Sequence, residues 1–213
     1  MTATSREGPG GRATVDDGNG FEGWDAGSAR RVAWPLVEAA LVELLAPLTD
    51  SRRAHTIAVG RKVERIAQFI PKHLRDETVT AAYLHDVGYG YPVLGFHPID
   101  GARLLADRGY SAVTCHLVAF HSAGKVEAEV REIAPNVFDP FVLEGISGLD
   151  RANDFVWWAD MSTGPTGEPV TIDQRLADIR VRYESGSIVR TAIDRAEPLL
   201  RAAVRRASAL LGE

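Results

Sequence analysis

The sequence contains almost no cysteine. Cys115 is the single one among 213 residues. One thiol cannot form an internal disulfide, and it excludes a zinc site built from several cysteines. A metal ion would therefore have to be held by histidine and carboxylate side chains. This low use of cysteine is also typical of a reducing compartment.

Long apolar runs and an excess of positive charge are missing as well. No segment approaches the roughly 20 apolar residues that cross a bilayer, and the N-terminus lacks the cationic and apolar blocks of a secretory signal. We therefore expect a cytoplasmic protein with no membrane partner. The net charge of −5 argues against nucleic acid as a partner, because gripping a phosphate backbone requires clustered cations. A small ligand is the better expectation, and the oligomeric state is left open.

Alternating strand patterns are the third absence, and an all-α fold is therefore predicted. Residues 1–30 are rich in glycine and polar side chains without periodicity, so they are predicted to form a flexible N-terminal tail. From residue 34 onward, apolar residues recur at helical spacing. Residues 34–213 are long enough for one well-filled core, and we expect a single helical domain that ends in a C-terminal helix.

Periodicity and capping signals define the predicted helices. They are expected at about 34–48, 50–70, 75–86, 98–108, 111–121, 125–133, 138–160, 171–183 and 187–211. Asp50 or Ser51 is expected to cap the second helix. Thr171 and Gln174 match a capping box. Pro198 is expected to kink or split the last helix, because it lacks an amide hydrogen and its ring clashes with the preceding turn.

Histidine is the metal-binding residue that remains, and the chain has six. At about 100° per residue, His55, His85 and His121 are each predicted to lie on the apolar face of a helix. A buried histidine is usually satisfied by a backbone carbonyl, and for His55 alone that is the simpler interpretation. His116 faces another direction and is not predicted to be a ligand, and His73 lies in a charged connector.

The pair His85 and Asp86, in the stretch AAYLHDVGYG, poses an electrostatic problem. A buried carboxylate costs several kcal/mol unless it meets a cation or several donors. The negative end of a helix dipole adds to that cost. A bound divalent metal would remove both penalties.

Two further residues are candidates that have simpler interpretations. His97 is predicted to cap the helix that begins at Pro98, and it could be an ordinary turn histidine. Asp160 ends a helix before a loop rich in glycine and proline, and it could be solvated. The apolar run just before Asp160 favours burial instead.

Five segments together resemble the HD superfamily of metal-dependent phosphohydrolases, in its two-metal branch. They are RRAHTIAV, LHDVGYG, GFHPIDGARLL, LVAFHSAG and WADMSTGP, and the resemblance spans roughly residues 34–185. It implies an HD-domain helical bundle. It also implies six metal ligands, which are His55, His85, Asp86, His97, His121 and Asp160. Asp86 would bridge two ions, and Asp86, His97 and His121 would be the catalytic residues.

The resemblance implies a phosphohydrolase that acts on a small nucleotide or another small phosphorylated substrate. Four imidazoles with carboxylates favour divalent transition metals over magnesium, and two ions of iron or manganese are expected. Two ions about 3.5–4 Å apart can bind a shared water and lower its pKa. That water would attack phosphorus.

One position departs from the pattern of many family members. They carry a lysine three residues after the HD aspartate, where this chain has Tyr89. Tyr89 could donate a hydrogen bond to substrate or only pack. Arg52, Lys125 and Arg175 are the other candidates for substrate contact, and each could equally be a solvated surface charge.

Two alternative functions compete with hydrolysis. The same ligand types resemble those of di-iron oxygenases within the superfamily, for which iron content and oxygen consumption would be the evidence. A non-catalytic nucleotide-binding or regulatory module is the third possibility. The complete set of ligand positions argues against it, because a scaffold does not need them.

Overall fold

The computed structural model describes residues 34–213, so the predicted tail over residues 1–30 lies outside the described residues. Helices form the regular structure of this part, and the predicted all-α fold is confirmed. The helices are α1 (Trp34–Leu45), α2 (Asp50–Arg65), α3 (Arg75–Leu84), α4 (His97–Asp107), α5 (Ala112–Ala119), α6 (Gly124–Val130), α7 (Leu149–Met161), α8 (Ile172–Arg182) and α9 (Ile188–Leu211). Within the same range, no helix combines the length and hydropathy needed to cross a membrane.

Several helix boundaries differ from the predicted ones. Thr49, rather than Asp50 or Ser51, caps α2, because its extended backbone lets the hydroxyl accept from the Arg52 amide. The predicted helix 138–160 is wrong over its first half, where 3₁₀ turns at Pro135–Phe141 precede α7. Positive φ angles at two glycines, Gly145 and Gly148, separate the two segments.

The predicted features of the last two helices are both visible in the fold. Both hydrogen bonds of the predicted capping box of Thr171 and Gln174 are present at the start of α8. α9 is continuous through Pro198, so of the expected kink or split the split does not occur. Ala196 and Leu200 on either side of Pro198 are buried, and this tertiary packing offsets the lost backbone hydrogen bond.

α3 lies at the centre of the domain. It packs against α1, α2, α5 and α7, and all its residues from Thr78 to Leu84 are buried. This uniform burial explains why the segment reads as an apolar run in the sequence. As a result, the C-terminal end of α3 delivers His85 and Asp86 directly into the protein interior.

Gly88 allows the turn after α3 to lie against the first turn of α4. A Cβ atom placed on Gly88 would lie 2.1 Å from the carbonyl oxygen of His97 and 2.5 Å from the amide nitrogen of Gly101. Both neighbours are backbone atoms, so they cannot move away as a flexible side chain could. The absence of a side chain at this position therefore brings Asp86 and His97 together.

We predict that Gly88→Ala destabilises the fold and separates α4 from α3. The added methyl group must displace backbone, so we expect a loss of about 3 kcal/mol in the free energy of unfolding, measured by urea denaturation. Gly90→Ala is the control, because its Cβ would meet a side-chain atom of Pro47 at 3.0 Å. Equal losses in the two variants would contradict this explanation.

Candidate metal centre

The six predicted ligands come from five separate parts of the chain and meet in one place. His55 lies on α2, His85 and Asp86 follow α3, His97 begins α4, His121 opens a 3₁₀ turn after α5, and Asp160 lies near the end of α7. Five of the six are buried, and His97 is partly buried. The predicted convergence is thus present in the fold, and the role of these residues as metal ligands remains a prediction.

The ligand atoms form two groups that share one carboxylate. His55, His85 and Asp86 offer atoms that lie within 4.8 Å of one another, and so do Asp86, His97 and His121. Asp160 adjoins the first group, because its Oδ1 lies 3.1 Å from Nε2 of His55. Asp86 therefore stands between two places where a cation could be held.

The backbone fixes one protonation site on three of the imidazoles. Their Nδ1 atoms donate to carbonyl oxygens: His55 to Gly164 at 2.9 Å, His85 to Ala82 at 2.9 Å and His121 to Val118 at 2.6 Å. A carbonyl only accepts hydrogen bonds, so each Nδ1 carries a proton. Nε2 of His85 and Nε2 of His121 then present lone pairs to the cluster, as a metal-ligating histidine requires. Nε2 of His55 instead donates to Oδ1 of Asp160 at 3.1 Å, so it must lose that proton before it can bind an ion.

One nitrogen of the cluster has no hydrogen-bond partner among the described residues. It is the buried Nε2 of His85, and leaving such an atom unpaired is costly in a protein interior. Within that part of the chain, Nε2 of His97 and Nε2 of His121 have only each other as a hydrogen-bond partner, at 3.2 Å. A cation could bind all three nitrogens, and imidazoles with carboxylates suit a divalent transition metal. The residues present therefore fit such an ion.

The protonation states also fit metal binding. Burial lowers the pKa of His85 to about 4 and holds the pKa of His97 well below its usual value, so both rings are neutral near pH 7. Burial alone would raise the pKa of Asp86, but the adjacent imidazoles and the Arg52 guanidinium hold it well below its usual range. Neutral nitrogens and ionised oxygens are the forms that bind metals.

Asp160 and His55 form a more polar pair. Burial opposes ionisation of Asp160, yet its hydrogen bond with His55 and the nearby cations keep the pKa of the carboxyl well below its usual value. The same contact raises the pKa of His55 despite the cost of burying a charged ring. In the absence of an ion, this pair is therefore stabilised as a hydrogen-bonded unit.

Each carboxylate is also paired with an arginine. Nη1 of Arg52 lies 2.5 Å from Oδ2 of Asp86, and Nη2 of Arg175 lies 3.6 Å from Oδ1 of Asp160. Both arginines line the cavity that opens onto the cluster. Tyr89 supports this side of the cavity, because its ring lies 3.6 Å from the Arg52 guanidinium carbon and stacks on His97 at 4.0 Å.

The structure does not bring Lys125 to this cavity. Its ammonium lies 5.0 Å from the centre of the Phe120 ring, and the residue lines a second cavity between α6, α7 and α9. The predicted substrate contact of Lys125 therefore has no geometric basis here, because α6 turns this side chain away from the ligands. His116, which bonds Phe141 and Asn153, and the exposed His73 also lie apart from the cluster.

The predicted helix over residues 111–121 ends before His121, so this part of the prediction is wrong, although the burial of His121 is confirmed. α5 ends at Ala119, and Ser122 (φ 44°, ψ 44°) and Ala123 (φ 60°, ψ 35°) adopt left-handed backbone conformations. Such strain costs roughly 1–3 kcal/mol per residue and is found mostly at functional sites. The tight turn directs His121 inward and sets the Ser122 hydroxyl 2.5 Å from Oδ2 of Asp160.

Two other features of the site were missed from the sequence. Asp100, in the first turn of α4, accepts from the amides of Leu94 and Phe96 and so fixes the segment that presents His97. Arg182 lines the mouth of the cavity from the end of α8. For Asp100 the signal was available, since an acidic residue in a first helical turn often binds preceding amides.

Comparison with known proteins gave one match. A family model described as HD domain matches residues 52–179, which is more than half of the chain. All six residues of the cluster fall within the matched range. Searches of curated proteins and of solved structures found no match.

We predict that His85→Ala lowers metal content. The variant removes a nitrogen lone pair from the first group, so we expect fewer bound ions than in the parent when manganese-loaded protein is assayed by elemental analysis. His73→Ala is the control, because His73 is exposed and distant from the cluster. Unchanged stoichiometry in His85→Ala would refute the assignment of this residue.

We also predict that Ser122→Ala weakens metal affinity about tenfold or more, because the hydroxyl orients Asp160 and loss of such supporting bonds typically costs 10–100-fold. Competition with a fluorescent chelator measures the effect. Ala123→Gly relaxes the neighbouring left-handed residue and keeps the hydroxyl, so its metal affinity should match the parent. If both variants lose affinity equally, then the backbone turn, and not the hydroxyl, is responsible.

Proposed function

The chain belongs to the HD domain family, and from this premise we propose that it is a metal-dependent phosphohydrolase. Its substrate is a small nucleotide or another small phosphate ester. The observation that carries the proposal is the pair of ligand groups that share Asp86. Membership of a superfamily of metal-dependent hydrolases supports it.

In this proposal, His55, His85, Asp86 and Asp160 hold one divalent ion, and Asp86, His97 and His121 hold a second. Iron or manganese is favoured, because both accept imidazole together with carboxylate ligands. When bound, the ions supply positive charge for phosphate oxygens and lower the pKa of a water molecule.

The described residues themselves bind and orient the ester. Arg52 and Arg175 project guanidinium groups from α2 and α8 at the carboxylates. Once cations neutralise those carboxylates, the guanidinium groups are free to bind phosphoryl oxygens. Their planar arrangement of N–H donors suits two oxygens of one phosphoryl group. Tyr89 limits the movement of Arg52 by packing on the guanidinium. The arginines therefore position the phosphoryl group above the ligand cluster.

A purely structural role explains the cluster less well. Apolar side chains of similar volume would be as stable as buried charged groups, or more stable. Instead, this interior keeps an unpartnered nitrogen on His85 and ionised carboxylates at Asp86 and Asp160. Perturbed titratable groups that share a cavity are typical of catalytic sites. The cavity is small, about 120 Å³, which favours a small ester over a polymer.

We predict that the metal-loaded protein releases inorganic phosphate from a panel of phosphate esters under anaerobic conditions. Asp86→Ala should abolish turnover, because it removes the shared ligand, and a phosphate-release assay with elemental analysis of the same sample measures both losses. Lys125→Met is the control, since Lys125 lies outside the cavity. Iron-dependent oxygen consumption without phosphate release would replace this proposal with an oxygenase.

A further inference from the structure

One wall of the cavity is formed by α8 and α9, and most of this wall lies beyond residue 179, where the family match ends. Arg175, Ile179 and Arg182 all line the cavity. Their spacing of four and three residues places them on one face of α8. The wall therefore presents a cation, an apolar side chain and a second cation over a length of roughly 10 Å.

The facing side of this wall is aliphatic apart from Tyr183, which follows α8 at the outer end. The aliphatic residues are Met161 and, on α9, Val189, Ala192, Ile193 and Ala196. None of these side chains can donate or accept a conventional hydrogen bond. A bound molecule that extends from the ligand cluster along α8 would therefore pass apolar contacts before it reaches Arg182.

Arg182 is the cation at the outer end, and its guanidinium has donors to spare. Its Nη2 lies 2.6 Å from Oδ2 of Asp178, and more than a third of the Arg182 side chain stays exposed. A guanidinium carries five N–H donors, so those that do not face Asp178 can bind a ligand. By contrast, Arg180 bonds Asp194 and Glu197 and so fastens α8 to α9.

The other charged groups of the cavity leave a positive outer half. Glu127 is the remaining acidic residue of the lining, and it is bound by Arg131 at 2.7 Å. Asp86 and Asp160 belong to the ligand cluster at the inner end. A second anionic group on a ligand could therefore approach Arg182 without being repelled by an unpaired carboxylate in the cavity lining.

Tyr89 and Tyr183 are the tyrosines that line the cavity. The guanidinium carbon of Arg52 lies 3.6 Å from the centre of the Tyr89 ring, and the His97 ring stacks on Tyr89 at 4.0 Å, so Tyr89 already has two planar partners. Tyr183 lies at the outer end, where its ring is 5.8 Å from the Arg182 guanidinium carbon. Between these two tyrosines the lining of α8 and α9 is aliphatic, so an aliphatic body meets more of this wall than a planar base does.

We propose that the substrate is a phosphomonoester of a short aliphatic molecule that carries a second anionic group, a carboxylate or a phosphate, and that Arg182 binds this second group. The inference rests on the proposed phosphohydrolase function, and it deepens that function. Arg175 and Arg52 would receive the phosphoryl group, and α8 would set the distance between the two anions.

Binding of phosphonates tests the inference separately from turnover, because their P–C bond is not hydrolysed. Manganese-loaded protein is titrated calorimetrically with alkylphosphonates of two to four methylenes, and with the matched ω-carboxylates and α,ω-bisphosphonates. We expect at least one of the two series with a second anionic group to bind tenfold more tightly than the alkylphosphonate of the same length. The better series identifies the second group as carboxylate or phosphate.

Arg182→Met should reduce this gain to less than twofold. Arg195→Met is the matched control and should keep the gain, since Arg195 is exposed and pairs with Glu129 outside the cavity. Four results would each overturn the inference. The phosphonates could fail to bind, or those with a second anionic group could bind no more tightly than the plain alkylphosphonates. Arg182→Met could keep the full increase in affinity, or adenosine monophosphate could bind more tightly than any of the phosphonates. Phosphate release from glycerate 3-phosphate and glycerol 1-phosphate tests the hydrolase function itself.

Discussion

The burial of the Asp86 carboxylate is the constraint on which the rest of the site depends. This group lies at the negative end of α3 and is 5% exposed, so its ionised form requires compensating charge. Arg52 of α2 supplies that charge. The Gly88 turn brings Nε2 of His97 to 3.4 Å from the carboxylate, and the strained turn after α5 brings Nε2 of His121 to 3.9 Å.

The same constraint explains why the backbone is unusual around the cluster. Helix interiors present side chains to one face at fixed spacing, so a single helix can bring only a few groups to one point. His55 reaches the cluster from within α2, whereas His85, His97 and His121 lie at helix termini or in short turns. Gly88 and the left-handed Ser122 are local departures from regular geometry that make this convergence possible.

Periodicity predicted the helical class and the inward faces of His55, His85 and His121, whereas the resemblance to the HD superfamily supplied His97 and Asp160 and so completed the set of residues that converge. The sequence predicted boundaries less well. The end of α5 depends on a left-handed turn at Ser122, which is not a glycine, so no local signal marked it. The continuity of α9 through Pro198 depends on packing against other helices, and so does the position of Lys125, which lines the second cavity beside Phe120. Such features depend on tertiary contacts that a single sequence does not display.

The arginines link the ligand cluster to the recognition wall. Arg52 and Arg175 pair with the carboxylates, and the buried Nε of Arg175 has no hydrogen-bond partner in the part of the chain that the structure describes. A cation at Asp86 and Asp160 would compete for the same oxygens and free both guanidinium groups for an anionic ligand. Under the proposed function, an anionic ester that engages these arginines must in turn favour the cation-bound state, because coupling between two ligands is reciprocal. Cation binding and ester binding are therefore expected to be cooperative in this site.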